Sequence, residues 1–426
     1  MLDLKRIRFE TDAVKQELAK RGDPDVAGQI DQVIALDAER RAVIQDVEGL
    51  KARRNQTSKE IADRKKAGED AGELIAAMKE VSDRIGEFDR QLTAAEAQIE
   101  ELLLLIPNTP LPEVPAGDES ANESIRSWGE PLSAAPWRKP HWELGVELSV
   151  LDLERGARLS GSGFPVYTGL GARLQRALVN LMVDTHVREH GYREVTPPYL
   201  VRGQAMRGTG QLPKLADDAY QVAGDDDLWL IPTAEVPLTN LHGGEVLGPD
   251  DLPRRFVGYT PCFRREAGAA GRDTRGIIRV HQFDKVEMVR LERPEDSGAA
   301  LDELTGHAER ILQTLGLAYR VMLLAAGDMA GSSAMTYDLE VWSPGVERWL
   351  EVSSCSNCTD YQARRADIRF RREAGGKPEY VHTLNGSGLA LPRTVIAVLE
   401  NYQREDGSVE LPEALHPYMG CSRIEP

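Results

Sequence analysis

The feature that most constrains the fold is a seam of apolar residues between positions 74 and 102. They recur at alternating intervals of four and three residues, at Leu74, Met78, Val81, Ile85, Phe88, Leu92, Ala95, Ile99 and Leu102. This heptad spacing predicts a helix over 73–105 that packs against a second helix. The segment 26–66 contains no proline, and a glycine-containing turn at 67–72 separates it from the seam. Two helices joined by so short a turn must pack antiparallel.

The first helix of this hairpin has a less regular seam, with polar gaps between Ile30, Val33, Ile44, Val47 and Ile61. A helix of about 40 residues spans roughly 60 Å at about 1.5 Å per residue, which is longer than a compact domain needs. We therefore expect an arm that projects into solvent. Residues 1–22 read as short helical pieces, and together with the hairpin they form a predicted N-terminal domain over 1–106.

Charge on the arm differs from charge on the whole chain. The chain carries a formal net charge of −17, which argues against a protein coated in nucleic acid. Between positions 40 and 66, however, nine basic residues face only four acidic ones. The basic residues are Arg40, Arg41, Lys51, Arg53, Arg54, Lys59, Arg64, Lys65 and Lys66. Such a run is either a solvated face of a coiled coil or a surface that follows RNA phosphates.

Composition limits the class of protein. The 426 residues suffice for two or three domains. No run of about 18 apolar residues predicts a membrane span, and the charged N-terminus does not resemble a signal peptide, so a cytoplasmic protein is expected. Cys355 and Cys358 form the only close cysteine pair among Cys262, Cys355, Cys358 and Cys421. A zinc ribbon would need a second pair, and reduced thiols are favoured over a redox pair.

A boundary follows the arm. Residues 107–140 contain seven prolines, a density that excludes a continuing helix. We expect the second arm helix to stop near Ile106 and 107–140 to form a linker. The tryptophans Trp128, Trp137 and Trp142 indicate that this linker packs on the domain that follows, over 141–426.

The densest concentration of chemistry lies between positions 259 and 287. Arg264, Arg265 and Glu266 end an apolar run, a loop rich in glycine and arginine follows, and Phe283 and Glu287 lie on the next strand-like segment. We predict two antiparallel strands joined by a basic loop. Arg264 can bind a phosphate or carboxylate through two hydrogen bonds, the two glutamates can accept from amino groups, and Phe283 offers a flat face to a base. An ordinary surface hairpin is the alternative.

Three further stretches carry polar residues where binding sites form. Thr233-Ala234-Glu235 follows a short apolar segment, at the place where loops on a rigid sheet carry function. Glu351 and Ser354 offer oxygen ligands that suit magnesium. Asn385-Gly386-Ser387-Gly388 precedes Arg393 at a predicted junction of strand and helix, where glycines let a nucleotide approach the backbone. The sequence contains no P-loop, Rossmann fingerprint or nucleophile elbow.

These stretches together resemble the class II aminoacyl-tRNA synthetases, and specifically the bacterial type of seryl-tRNA synthetase. Residues 263–266 resemble motif 2, and the run to Glu287 is similar to the serine-specific members. The helix expected over 171–190 and the following 191–198 resemble motif 1, which forms the dimer interface in the family. Residues 385–394 resemble motif 3. The resemblance implies an α+β fold, an antiparallel sheet flanked by helices and preceded by the coiled-coil arm.

The resemblance also implies ligands and site residues. Serine would be bound by Thr233, Ala234, Glu235, Arg264, Glu287, Asn385 and Ser387. ATP would be bound by Arg264, Arg265, Glu266, Val280, Phe283, Glu351, Val352, Ser353, Ser354 and Arg393. Glu351 and Ser354 would also hold Mg²⁺, and Arg264 and Arg393 would be catalytic. The loop 267–279 would order around ATP and then around the tRNA end. The arm would embrace the long variable arm of tRNA(Ser).

The implied reaction joins serine to ATP, which gives seryl-adenylate and pyrophosphate, and then transfers serine to the 3′ end of tRNA(Ser) in a homodimer. Whether tRNA(Sec) is also charged stays open. Two other hypotheses remain: a related ligase that charges a carrier protein, and a binding protein that has lost catalysis. The basic arm argues against the first hypothesis, and the polar residues at Arg264, Glu266, Glu287, Glu351 and Arg393 argue against the second.

Overall fold

The computed structural model describes residues 1–133, 135–267 and 275–426. These residues form two compact units. One consists of Leu2–Ala19 and Asp23–Ile106, and the other of Met1, Lys20–Gly22 and Pro107–Pro426. The segment 107–140, predicted as a linker, therefore belongs to the larger unit.

The smaller unit is helical. Its four helices are α1 (Leu4–Phe9), α2 (Thr11–Ala19), α3 (Val26–Ala67) and α4 (Gly72–Leu105). Helix α3 ends at Gly68, which adopts the left-handed conformation with φ of 77° and donates its N–H to the last turn of the helix. The Asp70 carboxylate accepts the N–H of Gly72 at 2.9 Å as α4 begins. The predicted helical hairpin and its short turn are confirmed.

Burial along α4 follows the predicted seam. All nine seam positions are buried or half-buried, and every other residue from 75 to 101 is exposed. The seam of α3 has a polar gap at Asp37, which is buried and accepts two hydrogen bonds from Arg8, at 2.7 and 2.8 Å. Arg8 therefore neutralises a charge that would otherwise be costly inside the arm.

The larger unit is built on an eight-stranded sheet. Its spatial order is β1-β10-β11-β12-β15-β9-β8-β4, and every pair is antiparallel apart from β8 with β4. The strands are β1 (Glu123–Trp128), β4 (Arg193–Glu194), β8 (Arg254–Phe263), β9 (Gln282–Glu292), β10 (Tyr319–Leu323), β11 (Met335–Ser343), β12 (Arg348–Asn357) and β15 (His382–Ala390). Strand β1 comes from the proline-rich segment and forms one edge.

Smaller elements surround this sheet. The short strands are β2 (Leu151–Asp152), β3 (Val166–Tyr167), β5 (Leu200–Arg202), β6 (Leu228–Leu230), β7 (Val246–Leu247), β13 (Arg369–Arg371), β14 (Pro378–Tyr380), β16 (Val409–Glu410) and β17 (Arg423–Ile424). The helices are α5 (His141–Glu147), α6 (Leu153–Ser160), α7 (Gly169–Arg188), α8 (Gly203–Thr209), α9 (Glu235–Thr239), α10 (Ser297–Thr314), α11 (Tyr361–Ala366), α12 (Leu391–Asn401) and α13 (His416–Met419). The predicted antiparallel sheet flanked by helices is confirmed.

Alternation along β9 separates the core from the site. Val286 and Met288 pack in the main hydrophobic core with residues of α7, α10 and α12. Their neighbours Phe283, Lys285 and Glu287 point to the opposite face, because successive side chains of a strand alternate. The predicted pair of antiparallel strands is confirmed, with Cys262 opposite Phe283 and Gly258 opposite Glu287.

Two details differ from the sequence-based expectation. Gly386 and Gly388 lie inside strand β15, whereas we expected them at the junction of strand and helix, which falls between Ala390 and Leu391. A Cβ atom at Gly386 would lie 2.3 Å from Leu304 of α10, so the glycine lets a helix pack closely. The helix expected over 171–190 begins and ends two residues earlier, as α7.

No helix among the described residues is long and apolar enough to cross a membrane.

Candidate active site

A cleft of about 460 Å³ opens on the face of the sheet that carries Phe283, Lys285 and Glu287. It brings together thirteen of the sixteen residues predicted for serine and ATP. They are Thr233, Glu235, Arg264, Glu266, Val280, Phe283, Glu287, Glu351, Val352, Ser354, Asn385, Ser387 and Arg393. Strands β9, β12 and β15 supply seven of them, so residues that are far apart in the sequence meet because these strands are neighbours.

Three predicted residues do not line the cleft. Ala234 is buried in a separate cluster with Leu238 and Phe256. The hydroxyl of Ser353 donates to the carbonyl of Ser387 at 2.6 Å and so ties β12 to β15. Arg265 is exposed, and its backbone N–H donates to Asp218. Of the predicted basic loop, residues 268–274 lie outside the described part of the chain.

One end of the cleft is a buried polar network around Glu235. Its carboxylate accepts from Gln362 Nε2 at 2.7 Å and from Asn385 Nδ2 at 3.2 Å. Gln362 is held in turn by the hydroxyl of Thr383, at 2.7 Å. Burial, and then the nearby Glu287 carboxylate, raises the pKa of Glu235 to about 7. A cationic partner would favour the ionised form of this group.

Glu287 lies beside this network. It is 1% exposed, forms an ion pair with Lys285 Nζ at 2.5 Å, and lies 3.5 Å from the Ser387 hydroxyl. Lys285 thus pairs directly with Glu287, whereas the nearby Glu235 carboxylate is held by amide donors. Such a site favours one further positive charge, because buried charges are stable only when paired. It also offers hydroxyl and carboxylate groups that can hydrogen-bond a small polar side chain.

Arg264 lies between this polar end and the rest of the cleft. Its Nε donates to the Pro232 carbonyl at 3.2 Å, and its guanidinium carbon is 5.1 Å from the centre of the Phe283 ring. The guanidinium group is thus oriented by one hydrogen bond and by the aromatic face. Its remaining donors suit a planar anion such as a carboxylate or a phosphate.

Glu266 and Arg393 lie toward the other end of the cleft. Glu266 adopts a left-handed backbone with φ of 51°, and its carboxylate pairs with Arg279. A non-glycine residue in this region is uncommon and often marks a functional site. Arg393, at the start of α12, donates to the Glu351 carbonyl at 2.7 Å and to its carboxylate at 3.2 Å.

Asp338 and Glu351 form an acidic pair on the neighbouring strands β11 and β12. Asp338 of β11 is opposite Ser354 of β12, and Glu340 is opposite Glu351. One carboxylate oxygen of Asp338 is buried without a hydrogen-bond partner. Burial, and next the Glu351 carboxylate, raises the pKa of Asp338 well above its usual value. An orphaned buried oxygen beside a second carboxylate and a hydroxyl fits a hard cation.

The protein alone does not complete a metal shell. Within the described residues, no group of three or more His, Cys, Asp or Glu side chains is arranged to hold a metal ion. Magnesium bound through one or two carboxylates usually takes its other oxygens from water and from substrate phosphates. The donors Glu351, Ser354 and Asp338 therefore fit Mg²⁺ that arrives with a nucleotide.

Sequence reasoning missed three residues of this site. Lys285 had a signal, because it lies two residues from both Phe283 and Glu287 and so shares their face. Asp338 had a weaker one, because acidic residues alternate with apolar residues along the sequence of β11. Gln362 had none that spacing could supply, because its link to Glu235 depends on how α11 packs against β15.

The arm carries the nine predicted RNA-binding residues, and four of them are paired within it. Arg40 and Arg41 contact Asp37, Lys51 lies 3.7 Å from Asp89, and Arg64 contacts Glu60. In the described arm no ion pair involves the other five, which are Arg53, Arg54, Lys59, Lys65 and Lys66. Except for Arg54, which is half-buried, these five are exposed.

The cysteines form no disulfide in the part of the chain that the structure describes. Cys262, Cys355 and Cys358 are buried, and burial raises the pKa of each, for Cys355 to about 12. A thiol with a raised pKa is a poor nucleophile. This agrees with the expectation of reduced thiols.

Comparisons with known proteins give a family match for each of the two units. Residues 220–402 match the tRNA synthetase class II core domain (G, H, P, S and T), and residues 1–110 match the seryl-tRNA synthetase N-terminal domain. The serine–tRNA ligase of Geobacillus kaustophilus is 56% identical over 421 residues, which cover 99% of this chain and 99% of that protein.

Solved structures agree over the whole chain. Seryl-tRNA synthetase from Pyrococcus horikoshii, complexed with ATP, matches with a TM-score of 0.95 and 40% identity, and all of each chain is covered. The cytoplasmic serine–tRNA ligase of Naegleria fowleri, in complex with AMP, matches with a TM-score of 0.89 and 29% identity, covering 100% of this chain and 99% of that one. The predicted class II fold is confirmed.

Proposed function

The chain belongs to the serine–tRNA ligase family, and from this premise we propose which of its side chains carry each step of the reaction. The enzyme activates L-serine with ATP to seryl-adenylate and then transfers serine to tRNA. The first step needs no protein nucleophile, because the carboxylate of serine attacks the α-phosphate of ATP and pyrophosphate leaves. The protein must orient the two reactants and neutralise the charge that develops.

Serine is bound at the buried polar end of the cleft. The ammonium group of serine pairs with Glu235, beside Thr233, and supplies the positive charge that the Glu235, Glu287 and Lys285 cluster favours. The serine hydroxyl hydrogen-bonds Glu287 and Ser387. Alanine lacks this hydroxyl and would leave a buried carboxylate unpaired, which can reject it by several orders of magnitude. Asn385 acts through its hydrogen bond to Glu235.

Arg264 connects the two substrates. It lies between the serine end and Phe283, so its guanidinium group can bind the serine carboxylate and the α-phosphate together. The adenine stacks on Phe283 with Arg393 on its other face, and Glu266 accepts from the adenine amino group. The predicted ATP site is completed by four further residues, Arg265, Val280, Val352 and Ser353. Ser353 acts through its hydrogen bond to Ser387, and the other three lie near the nucleotide.

Mg²⁺ would be held by Glu351 and Ser354, with Asp338 as an additional carboxylate. When bound, the ion neutralises phosphate charge and favours departure of pyrophosphate. The orphaned oxygen of Asp338 supports this assignment, as does the oxygen-only set of donors.

The second substrate, tRNA, is bound by both units. We assign the long variable arm of tRNA(Ser) to the nine basic residues of α3 and the acceptor end to the basic loop at 267–279. The five exposed or half-exposed residues without an ion pair in the arm, Arg53, Arg54, Lys59, Lys65 and Lys66, are the first candidates for phosphate contacts. Charging of tRNA(Sec) and a cytoplasmic location stay predictions.

We also propose a homodimer through α7 and β4. Strand β4 lies at the outer edge of the sheet, where it pairs only with β8 among the described strands. An edge strand with exposed residues offers unpaired backbone groups to a second copy. Sedimentation equilibrium at micromolar concentration should give twice the 47.1 kDa mass of one chain. A mass of one chain would remove this proposal without affecting the assignments in the cleft.

The observation that carries the proposed roles is the meeting of Arg264, Glu235, Glu287 and Arg393 in one cleft. ATP–pyrophosphate exchange with a panel of amino acids, without tRNA, tests them. Exchange should require serine, and Arg264→Ala should abolish it. Exchange with no amino acid would indicate a binding protein, and unchanged exchange in the Arg264→Ala variant would contradict the proposed site.

A further inference from the structure

The described end of the basic loop, Arg275 to Arg279, is fixed to helix α5 through a single histidine. The backbone N–H of Ile277 donates to His141 Nε2 at 3.1 Å, and His141 is fully buried. The preceding Gly276 has a φ of 63°, and a Cβ atom there would lie 2.1 Å from the same nitrogen. His141 therefore occupies the space that only glycine leaves open.

The other side of the His141 ring contacts a buried carboxylate on α12. His141 Nδ1 lies 2.9 Å from Glu400 Oε1, which also accepts the backbone N–H of His141 at 2.9 Å. The second oxygen of Glu400 accepts from the Gly345 N–H at 2.9 Å and from the hydroxyl of Ser343. Four donors thus occupy a carboxylate that is inaccessible to solvent.

These contacts determine where the proton of the imidazole lies. A backbone N–H can only donate, so Nε2 must carry a lone pair, and the proton must be on Nδ1, facing Glu400. The loop end is therefore bound by a chain of hydrogen bonds that begins at Ile277, passes through His141 and ends at Glu400.

Helix α12 holds the same loop end a second time. Arg393, in its first turn, donates through Nε to the carbonyl of Ile278 at 3.2 Å. The two consecutive residues Ile277 and Ile278 are thus bound to one helix, directly through Arg393 and indirectly through His141. Ile278, Arg279 and Val280 line the cleft immediately afterwards.

We propose that His141 is a positioning residue for ATP: held by Glu400, it sets the position of the loop end that lines the nucleotide side of the cleft and orients Arg393. This inference rests on the proposed function, because it takes that side of the cleft as the ATP site. His141 touches neither substrate in this arrangement, so its effect is on the binding of ATP and not on the selection of serine.

Two variants separate the two hydrogen bonds of the ring. His141→Asn keeps a donor in the place of Nδ1, close to Glu400, but cannot reach Ile277. His141→Gln places an acceptor near Nε2 but removes the donor to Glu400. The measurements are the KM for ATP and for serine in serine-dependent ATP–pyrophosphate exchange, together with the Tm of each variant.

We expect the two variants to differ in the KM for ATP. His141→Asn should raise it about fivefold, which is the value of one hydrogen bond, with little change in the KM for serine. Its Tm should also fall, because the buried N–H of Ile277 loses its acceptor. His141→Gln should lower Tm, because the buried carboxylate loses a donor, and should leave the KM for ATP within about twofold of the wild type. Glu147→Gln, on the exposed end of α5 where Glu147 pairs with Lys139 at 2.7 Å, should change neither quantity.

The proposal would be overturned if the KM for ATP rose equally in both His141 variants. It would also be overturned if the rise in the KM for ATP were proportional to the loss of Tm across the two variants. If His141→Asn does not fold, Gly276→Ala provides the second test, because it pushes His141 Nε2 away from the loop side and leaves Glu400 bound; an unchanged KM for ATP would then contradict the proposal. If the wild type shows no serine-dependent ATP–pyrophosphate exchange, the proposed function fails. Hydrogen exchange of the Ile277 amide then tests the contact itself, which His141→Asn should deprotect and Glu147→Gln should not.

Discussion

At the residue scale, Glu235 is the group whose protonation should control binding of serine. Its pKa is raised to about 7, chiefly by burial. Because the pKa of a carboxyl group is raised, the free enzyme holds Glu235 protonated below pH 7 and ionised above it. The ammonium group of serine requires the ionised form, so the affinity for serine falls as the pH falls through 7.

The KM for serine should therefore rise about tenfold between pH 8 and pH 6, as expected for a single group with a pKa near 7. Pyrophosphate exchange measured across this range, with the KM for ATP as the internal control, checks it. Glu235→Gln should raise the KM for serine at pH 8 and remove its pH dependence. A variant that kept the slope of the wild type would assign the titration to another group.

Asp338 supplies the second prediction for a single residue. Asp338→Asn keeps the shape of the side chain but removes a carboxylate that can ligate the ion, so we expect the half-saturating Mg²⁺ concentration in pyrophosphate exchange to rise about tenfold. Stability should be maintained or increased, because the buried oxygen has no partner in the described residues. Glu340→Gln, on the same strand and paired with Arg320 at 2.5 Å, is the matched control and should leave the Mg²⁺ dependence unchanged.

Residues of this site differ in how far the sequence could predict them. Arg264, Glu266 and Glu287 lie in one continuous stretch, so a local pattern was sufficient to select them. Gln362 reaches Glu235 only because α11 packs against β15, and His141 reaches Ile277 across more than a hundred residues. Both contacts are set by tertiary packing, which leaves no periodic trace in either local sequence.

At the element scale, the helical hairpin was the most predictable part of the chain. Its heptad pattern extends over about eight turns, so each apolar residue supports the same assignment. Strand β15 was harder to predict, because glycines usually indicate a junction. Here Gly386 allows close packing of α10, and Gly388 lies at a register shift against β9, where a Cβ atom would lie 2.6 Å from His186. Their backbone role depends on neighbours from other elements.

The arm carries a prediction about the whole of helix α3. Reversing Lys59, Lys65 and Lys66 to glutamate should raise the KM for tRNA in aminoacylation by at least about tenfold, because three phosphate contacts are replaced by repulsion. Pyrophosphate exchange without tRNA should be unchanged, since it needs only the cleft. The measurement is the ratio of the two activities.

The matched control for this variant uses the other helix of the hairpin. Lys79, Arg84 and Arg90 are exposed residues of α4, and their reversal changes the net charge by the same amount. We expect a smaller loss of tRNA affinity from this second triple variant. An equal loss in both would mean that the arm acts through its total charge, and the assignment of phosphate contacts to α3 would be wrong.

At the scale of the whole molecule, positive charge is concentrated in one part of an acidic chain. The chain has a net charge of −17, whereas the part of the arm between 40 and 66 is net positive. An acidic protein repels polyanions in general, so a local basic surface must provide the attraction for tRNA. This distribution of charge suits an enzyme that must bind one class of RNA tightly enough to charge it and then release it.

The basic part of the arm also gives a test that distinguishes the family's reaction from that of a related ligase that charges a carrier protein. Binding of tRNA phosphates releases counterions, so the kcat/KM for tRNA should fall steeply with salt, with a slope of several on a double logarithmic plot between about 50 and 200 mM. Pyrophosphate exchange takes place in the cleft without tRNA and should be far less sensitive over the same range. The α3 triple variant should have a slope shallower by about three, one for each phosphate contact that is lost. If aminoacylation were as insensitive to salt as exchange, the acceptor would not be bound through its phosphates, and the basic surface of the arm would be a solvated face of the coiled coil.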